Sequence, residues 1–324
     1  MSKLEFSKIS DKRNELDITQ KTISNDLGID FEDYKLIESG EYIPKKKTIK
    51  NICKYLSLDM DEIYDENFKN TIILSFLNNK GGSGKTSVSG SLAYALSEKG
   101  YKVLCIDADM QGNLTHSYDL EADEDKNLAK AIENEESLMN HIIPSGYDNI
   151  DFVVYHPALS AIEMIMFNKK GREEVLRRIL KEVIDNGIYD YIIIDTNPTL
   201  SMLNFNVVNV TNYCIPPLQM GAFGLEGLDI LLNFIDGVIQ FNPNFKGVRL
   251  VINDYDSRKR VTKKSEAWLK EHYKEMLFKT IIRVDTSIEL AQLDGIPVLK
   301  YKGDSKIAND IRDLAKEIEE LTKK

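Results

Sequence analysis

Little in this chain can serve as a covalent or metal-borne framework. Its three cysteines, Cys53, Cys105 and Cys214, are scattered through 324 residues without a paired spacing. That excludes a disulfide framework and a cysteine-ligated metal site, and it fits a reducing cytoplasm. No apolar run approaches the length of a membrane span, and the start, Met1-Ser-Lys-Leu-Glu5, lacks the apolar core of a signal peptide. Positive charge is not in excess either, since the net charge is −10. An acidic chain reaches nucleic acid only through a local basic patch. Residues 1–70 hold 12 Lys/Arg and 15 Asp/Glu, and the remainder 30 and 37. Neither part is basic, so charge alone nominates no DNA-binding domain. Repeats and low-complexity tracts are also missing.

What is present suits an ordinary globular protein. Apolar residues make up 42% and charged residues 29%, over a length that allows two domains and a sizeable core. Residues 1–66 read as short helices without strands: 7–16, 19–27, 31–39 stopped by Gly40, 48–56 and 58–64. Helix, a three-residue turn Gly28-Ile-Asp30, and helix is the helix-turn-helix layout. Residues 67–70 form a polar linker. From Thr71 strands and helices alternate: strands at 71–77, 102–107, 151–154, 190–195, 211–216, 247–252 and 279–283, helices at 85–99, 171–186, 225–240, 265–274, 287–293 and 305–322. Strands such as Tyr191-Ile-Ile-Ile194, apolar on both faces, predict a parallel sheet covered by helices. Residues 115–150 are mixed and fit neither pattern.

The most informative stretch is Lys80-Gly81-Gly82-Ser83-Gly84-Lys85-Thr86-Ser87, directly after the apolar run 71–77. Strand, glycine loop and helix build a phosphate cradle. Glycines let backbone N–H groups turn onto the anion, and the following helix adds its positive end. In that arrangement Lys85 reaches the β- and γ-phosphates and Thr86 offers a hydroxyl to Mg²⁺. Position 79 is Asn79 where the strict pattern has glycine. Two further carboxylate motifs follow. Asp107 and Asp109 end the strand Val103-Leu-Cys-Ile106, at the ligand edge of an open α/β sheet. Asp195 ends the buried strand 191–194, where its charge needs a cation, and the nucleotide's Mg²⁺ supplies one.

Lys80-Gly-Gly-Ser-Gly-Lys-Thr86 resembles the deviant P-loop of the ParA/MinD family of dimeric ATPases. Asp107-Ala-Asp109-Met-Gln-Gly-Asn113, Asp195-Thr-Asn-Pro198, Asn78, Ile215-Pro-Pro-Leu-Gln219, Phe223-Gly-Leu-Glu-Gly-Leu228 and Asn253-Asp-Tyr-Asp-Ser-Arg258 extend the resemblance over residues 71–300. It implies a P-loop NTPase fold that binds ATP and Mg²⁺. By the same resemblance Lys80 crosses a homodimer interface to the partner's nucleotide, and Asp109 orients the attacking water. Asp107 serves as a Mg²⁺ ligand or supports one, and Arg283 and Asp285 fall in the segment that cradles adenine. Met110 replaces a family proline, Asn197 departs from Asp-Thr-Pro-Pro, and Val284 stands where many relatives carry a basic residue.

The N-terminal segment resembles the Cro/repressor type of helix-turn-helix through Thr19-Gln20, Ile23, Leu27-Gly-Ile29, Ile37-Glu38, Gly40, Pro44 and Ile52…Leu56-Ser-Leu58. Its groove-entering residues would be Phe31, Glu32 and Asp33. Carboxylates accept from a cytosine amino group but repel phosphate. A helical domain without operator reading therefore stays open. Lys45, Lys46, Lys47 and Lys50 are candidate backbone contacts. Arg258-Lys-Arg260 with Lys263-Lys264 puts five basic residues in a window of seven, either a non-specific DNA contact or a solvated loop.

The resemblance implies a nucleoid-associated, cytoplasmic DNA-partition ATPase stimulated by a ParB-like centromere-binding partner, with operon autorepression through the first domain. The alternative is a nucleotide-switched transcriptional regulator with negligible turnover. A MinD-type membrane positioner would need a basic amphipathic tail, whereas residues 306–324 carry five basic and five acidic side chains, so the stripe Ile307, Ile311, Leu314, Ile318 and Leu321 reads as core. A nitrogenase-reductase relative needs cluster-ligating cysteines, and a bacterial tyrosine kinase needs a tyrosine cluster beyond Tyr301.

Overall fold

Strands apolar on both faces belong in the middle of a sheet covered twice. The strands are β1 (Ile72–Phe76), β2 (Val103–Ala108), β3 (Ile143–Pro144), β4 (Ile150–Val153), β5 (Tyr191–Thr196), β6 (Tyr213–Cys214), β7 (Pro217–Gln219), β8 (Gly247–Val248), β9 (Leu250–Tyr255) and β10 (Leu277–Arg283). The computed structural model describes residues 6–40, 42, 44, 46–59, 63, 71–220 and 227–323. Every residue of β1, β2 and β5 is buried, and these three lie together at the centre. One sheet runs β3-β4-β2-β5-β1-β6-β8 and a second β10-β9-β7. All described pairings are parallel except β3 with β4.

The two sheets join through their backbones. Of the expected strand 211–216 only Tyr213–Cys214 forms, with Ile215-Pro216 separating it from β7 beyond, and 247–252 is broken at Arg249 into β8 and the start of β9. Pro216 has no N–H to give to a ladder. Even so, Arg249 N donates to Cys214 O at 2.9 Å and Val251 N to Pro216 O at 3.2 Å, carrying the ladder across the break.

The described residues fall into two compact units, one from the chain before Thr71 with Ile184–Ile188, the other from the rest. In the first, α1 (Ser7–Glu15), α2 (Gln20–Leu27), α3 (Phe31–Ser39) and α4 (Lys46–Leu56) enclose Ile9, Ile23, Tyr34, Ile37, Ile49 and Ile52. Thr19 caps α2 and Asp30 caps α3, while Gly28 and Gly40 end α2 and α3 in the left-handed region. Glu38 is buried and accepts from Arg13 at 2.7 and 3.2 Å and from Gln20 at 2.7 Å. Phe31, Glu32 and Asp33 are exposed. The expected helix 58–64, the linker 67–70, the side chains of Lys45–Lys47 and most of the segment 223–228 lie outside the described residues.

In the larger unit α5 (Lys85–Glu98) follows the glycine loop, and the helix Lys306–Thr322 packs Ile307, Ile311, Leu314 and Ile318 into the core. That agrees with reading the C-terminal stripe as packing. Among the described residues, no helix is long and apolar enough to cross a membrane. The helix expected at 265–274 starts earlier, as Arg260–His272. Its buried residues are Thr262, Ser265 and Leu269, so two of three inward positions are polar and the hydrophobic period is hidden. Among the helices not anticipated are Leu159–Phe167 and Met202–Val210, besides Leu128–Asn134 and the short Asn113–His116 and Val298–Tyr301. Met202–Val210 buries Asn204, Asn206 and Asn209; Asn206 donates to Arg172 O and Asn209 to Glu173 O.

Candidate functional site

β1 ends beneath the loop 78–84, and α5 begins at Lys85. The register of β1, β5 and β2 sets Phe76 opposite Asp195 and Asp195 opposite Asp107, so the two carboxylates stand side by side at the strand ends beside the loop. Gly82 and Gly84 have φ of 71° and 91°, which glycine adopts without strain. A Cβ on Gly84 would also lie 2.1 Å from Asn253 Nδ2, an amide that donates to Ser83 O at 2.9 Å.

Lys85 is 7% exposed, and its ammonium makes a long 3.5 Å contact to Lys80 O. Burial lowers its pKa, while the charges of Asp195 and Asp109 act in the opposite sense. Thr86 Oγ1 donates to Asp195 Oδ2 at 2.6 Å. Asp195 Oδ1 and Ser83 Oγ are buried with no hydrogen-bond partner among the described residues. Burial, and then the charge of Asp107, raise the Asp195 carboxyl well above the usual aspartate range. A buried oxygen left open beside a hydroxyl suits Mg²⁺, which takes one or two protein oxygens and completes its shell with water and phosphate. Among the described residues no group of three His, Cys, Asp or Glu side chains could hold a metal without such help.

Asp107 is differently employed. Its Oδ2 accepts from Thr115 N at 2.8 Å and Thr115 Oγ1 at 2.7 Å, and its Oδ1 from Asp109 N at 3.2 Å. Burial pushes its pKa up to about 6 against those hydrogen bonds. It braces the turn that carries Asp109, whose own Oδ1 accepts from Gln111 N at 3.0 Å. Gly112 closes that turn at φ 66°, where a Cβ would meet the Tyr155 ring at 2.3 Å. Met110, in the family's proline position, is exposed.

Lys80 N donates to Asn78 Oδ1 at 2.9 Å and its ammonium to Gln219 Oε1 at 3.3 Å. Asn78 Nδ2 donates to Pro217 O at 2.7 Å, and Asn79 Nδ2 to Gly227 O at 3.3 Å. Side chains from β7 and β9 therefore fasten the loop, a role no local spacing signals. Ser87 Oγ accepts from Gln292 Nε2 at 2.9 Å. Arg283 sits at the end of β10 and is committed to Asp310, with Nε donating to Oδ2 at 2.9 Å. Asp285 Oδ1 accepts from Ser287 N at 2.9 Å, starting the helix Ser287–Leu293. Both residues proposed for adenine thus carry structural bonds. Asn197 Oδ1 accepts from Thr199 N, Thr199 Oγ1 and Asn204 Nδ2, an Asx turn where relatives have proline.

Fold and site define a P-loop nucleotide-binding protein. The model of a family described as an AAA domain matches residues 71–247. The cell division protein PomZ of Myxococcus xanthus is 34% identical over 73% of this chain and 74% of its own. The chromosome partitioning protein ParA of Caulobacter vibrioides is 29% identical over 71% and 86%. A structure of cobyrinic acid a,c-diamide synthase from Mycobacterium smegmatis, with bound ATP analogue and magnesium, superimposes with a TM-score of 0.67 at 25% identity, covering 78% of this chain and 96% of that one. The chain belongs to this AAA-domain family, among the P-loop ATPases of ParA/MinD type.

Proposed function

We propose that the protein is a DNA-partition ATPase. It binds ATP with Mg²⁺ through residues 80–87, forms a sandwich dimer in which Lys80 reaches the partner's nucleotide, and hydrolyses ATP with Asp109 orienting the water. The observation that carries the reading is the buried Lys85 ammonium beside Asp195, whose Oδ1, like Ser83 Oγ, has no partner among the described residues. A magnesium nucleotide would supply both missing charges. When bound, Mg²⁺ neutralises phosphate charge; Thr86 and Asp195 are its oxygen donors on this chain, and Asp107 supports Asp109 from behind.

Similarity to the chromosome partitioning protein ParA, with the exposed residues Arg258, Lys259, Arg260, Lys263 and Lys264, supports DNA as the partner. Dimer binding would be non-specific and strongly salt-dependent, because it neutralises phosphates. A ParB-like centromere-binding protein would stimulate hydrolysis and release, placing the ATPase on the nucleoid. The exposed acidic start of α3 makes operon autorepression by the N-terminal helices the weaker part of the reading.

The test is DNA binding with ATP, ADP and no nucleotide, on random DNA and on the protein's own upstream region. Binding to random DNA only with ATP supports partition. Sequence-specific binding indifferent to nucleotide, with negligible turnover, would replace it with the transcriptional switch.

A further inference from the structure

The Lys80 side chain is held within its own subunit by a directional relay. Asp254 Oδ2 accepts from Gln219 Nε2 at 3.0 Å. A carboxylate only accepts, so the amide turns its N–H group to Asp254 and its oxygen to Lys80, which donates at 3.3 Å. β7 runs beside β9 with Gln219 opposite Asn253, and Asn253 clasps Ser83 O. Asp254 lies at φ 53°, a left-handed conformation uncommon outside glycine, at the end of the same strand. The strand tip that grips the glycine loop therefore also orients the amide that holds Lys80.

We infer that Gln219, oriented by Asp254, is a positioning residue that retains Lys80 in the free subunit and sets the threshold for dimer formation. The inference rests on the proposal that Lys80 acts across a dimer. An ammonium bonded to a neutral amide oxygen is held less firmly than one bonded to phosphate. The relay is therefore strong enough to keep the lysine in place alone and weak enough to yield to a partner's nucleotide. Each subunit must give up this bond to enter the dimer, so apparent dimer affinity is reduced by the square of the fraction of chains with Lys80 released.

The experiment measures the monomer–dimer equilibrium of the full chain by sedimentation with a non-hydrolysable ATP analogue and Mg²⁺. Gln219→Ala should tighten the dimer roughly thirtyfold, the worth of the two such hydrogen bonds that one dimer gives up. Analogue affinity measured at concentrations where the chain is monomeric should not move, which a general distortion of the loop would not allow. In a Lys80→Ala background Gln219→Ala should change nothing. An unchanged or weaker dimer in a normally melting Gln219→Ala protein would overturn the inference. Should that variant melt early, Gln219→Glu with Asp254→Asn keeps both hydrogen bonds and adds a charge to the hold on Lys80. It should weaken the dimer roughly thirtyfold, and an equal or tighter dimer would overturn the inference. If Lys80→Ala alone dimerises like wild type, the proposed function fails. If it does not, and Gln219→Ala has no effect, only the relay fails.

Discussion

Thr86 Oγ1 donates a 2.6 Å hydrogen bond to Asp195 Oδ2, while Oδ1 of the same buried carboxyl group has no partner among the described residues. An unpartnered buried oxygen beside a raised carboxyl costs stability when no cation meets it. Burial, and then the charge of Asp107, raise the Asp195 carboxyl above the ~4 of the unfolded chain. A raised acid pKa means the native state binds more protons, so ligand-free stability falls as pH rises from there through the raised value. Asp195→Asn should flatten this dependence and raise the ligand-free Tm by roughly 2–4 °C at alkaline pH. Melting curves in EDTA across pH read it directly. The same variant should lose the Mg²⁺ dependence of nucleotide affinity.

Lys85 carries a buried ammonium that burial penalises and two carboxylates support. Lys85→Ala should leave the fold intact and weaken ATP binding roughly 100-fold, the loss of a charge-assisted contact. Titration with a fluorescent ATP analogue checks it, and retained affinity would remove Lys85 from the cradle.

Asp109 sits on a turn braced by Asp107 and Gly112 rather than on the strand itself. Asp109→Ala should preserve ATP-dependent dimers while turnover falls by roughly 10²–10⁴. Steady-state phosphate release beside sedimentation separates the two effects. Normal turnover would assign the water to another residue.

In the helical unit, Glu38→Ala removes the buried carboxylate that half-buried Arg13 and Gln20 donate to. Losing such charge-assisted hydrogen bonds costs about 2 kcal/mol, a large share of what a small helical unit holds. Circular dichroism should show these helices melting first, and Glu38→Gln, which keeps acceptor oxygen and volume, should lose less.

The phosphate cradle and its flanking carboxylates were readable in the sequence because their chemistry is local. Glycines at 82 and 84 answer a backbone need, and Asp107 and Asp195 each close an apolar strand. What holds the loop in place was hidden by distance. Gln219 meets Lys80 across 139 residues and Asn253 meets Ser83 across 170, contacts that exist only once β7 and β9 are paired. The helix Met202–Val210 was missed because its inward asparagines bond to backbone carbonyls, breaking the apolar period. Pro216 cut short a strand that composition had carried through it. Arg283 and Asp285 lie at and just past the end of β10, where they bond Asp310 and Ser287, which spacing could not foretell.

The central claim is that this site is completed only by a second copy of the chain, through Lys80. Sedimentation of wild type and Lys80→Ala with ATP and Mg²⁺ tests it most directly, with nucleotide occupancy measured on the same samples. The account predicts a wild-type dimer and a Lys80→Ala monomer that still binds ATP. Equal dimerisation of the two, or a wild type that stays monomeric with ATP bound, would contradict it.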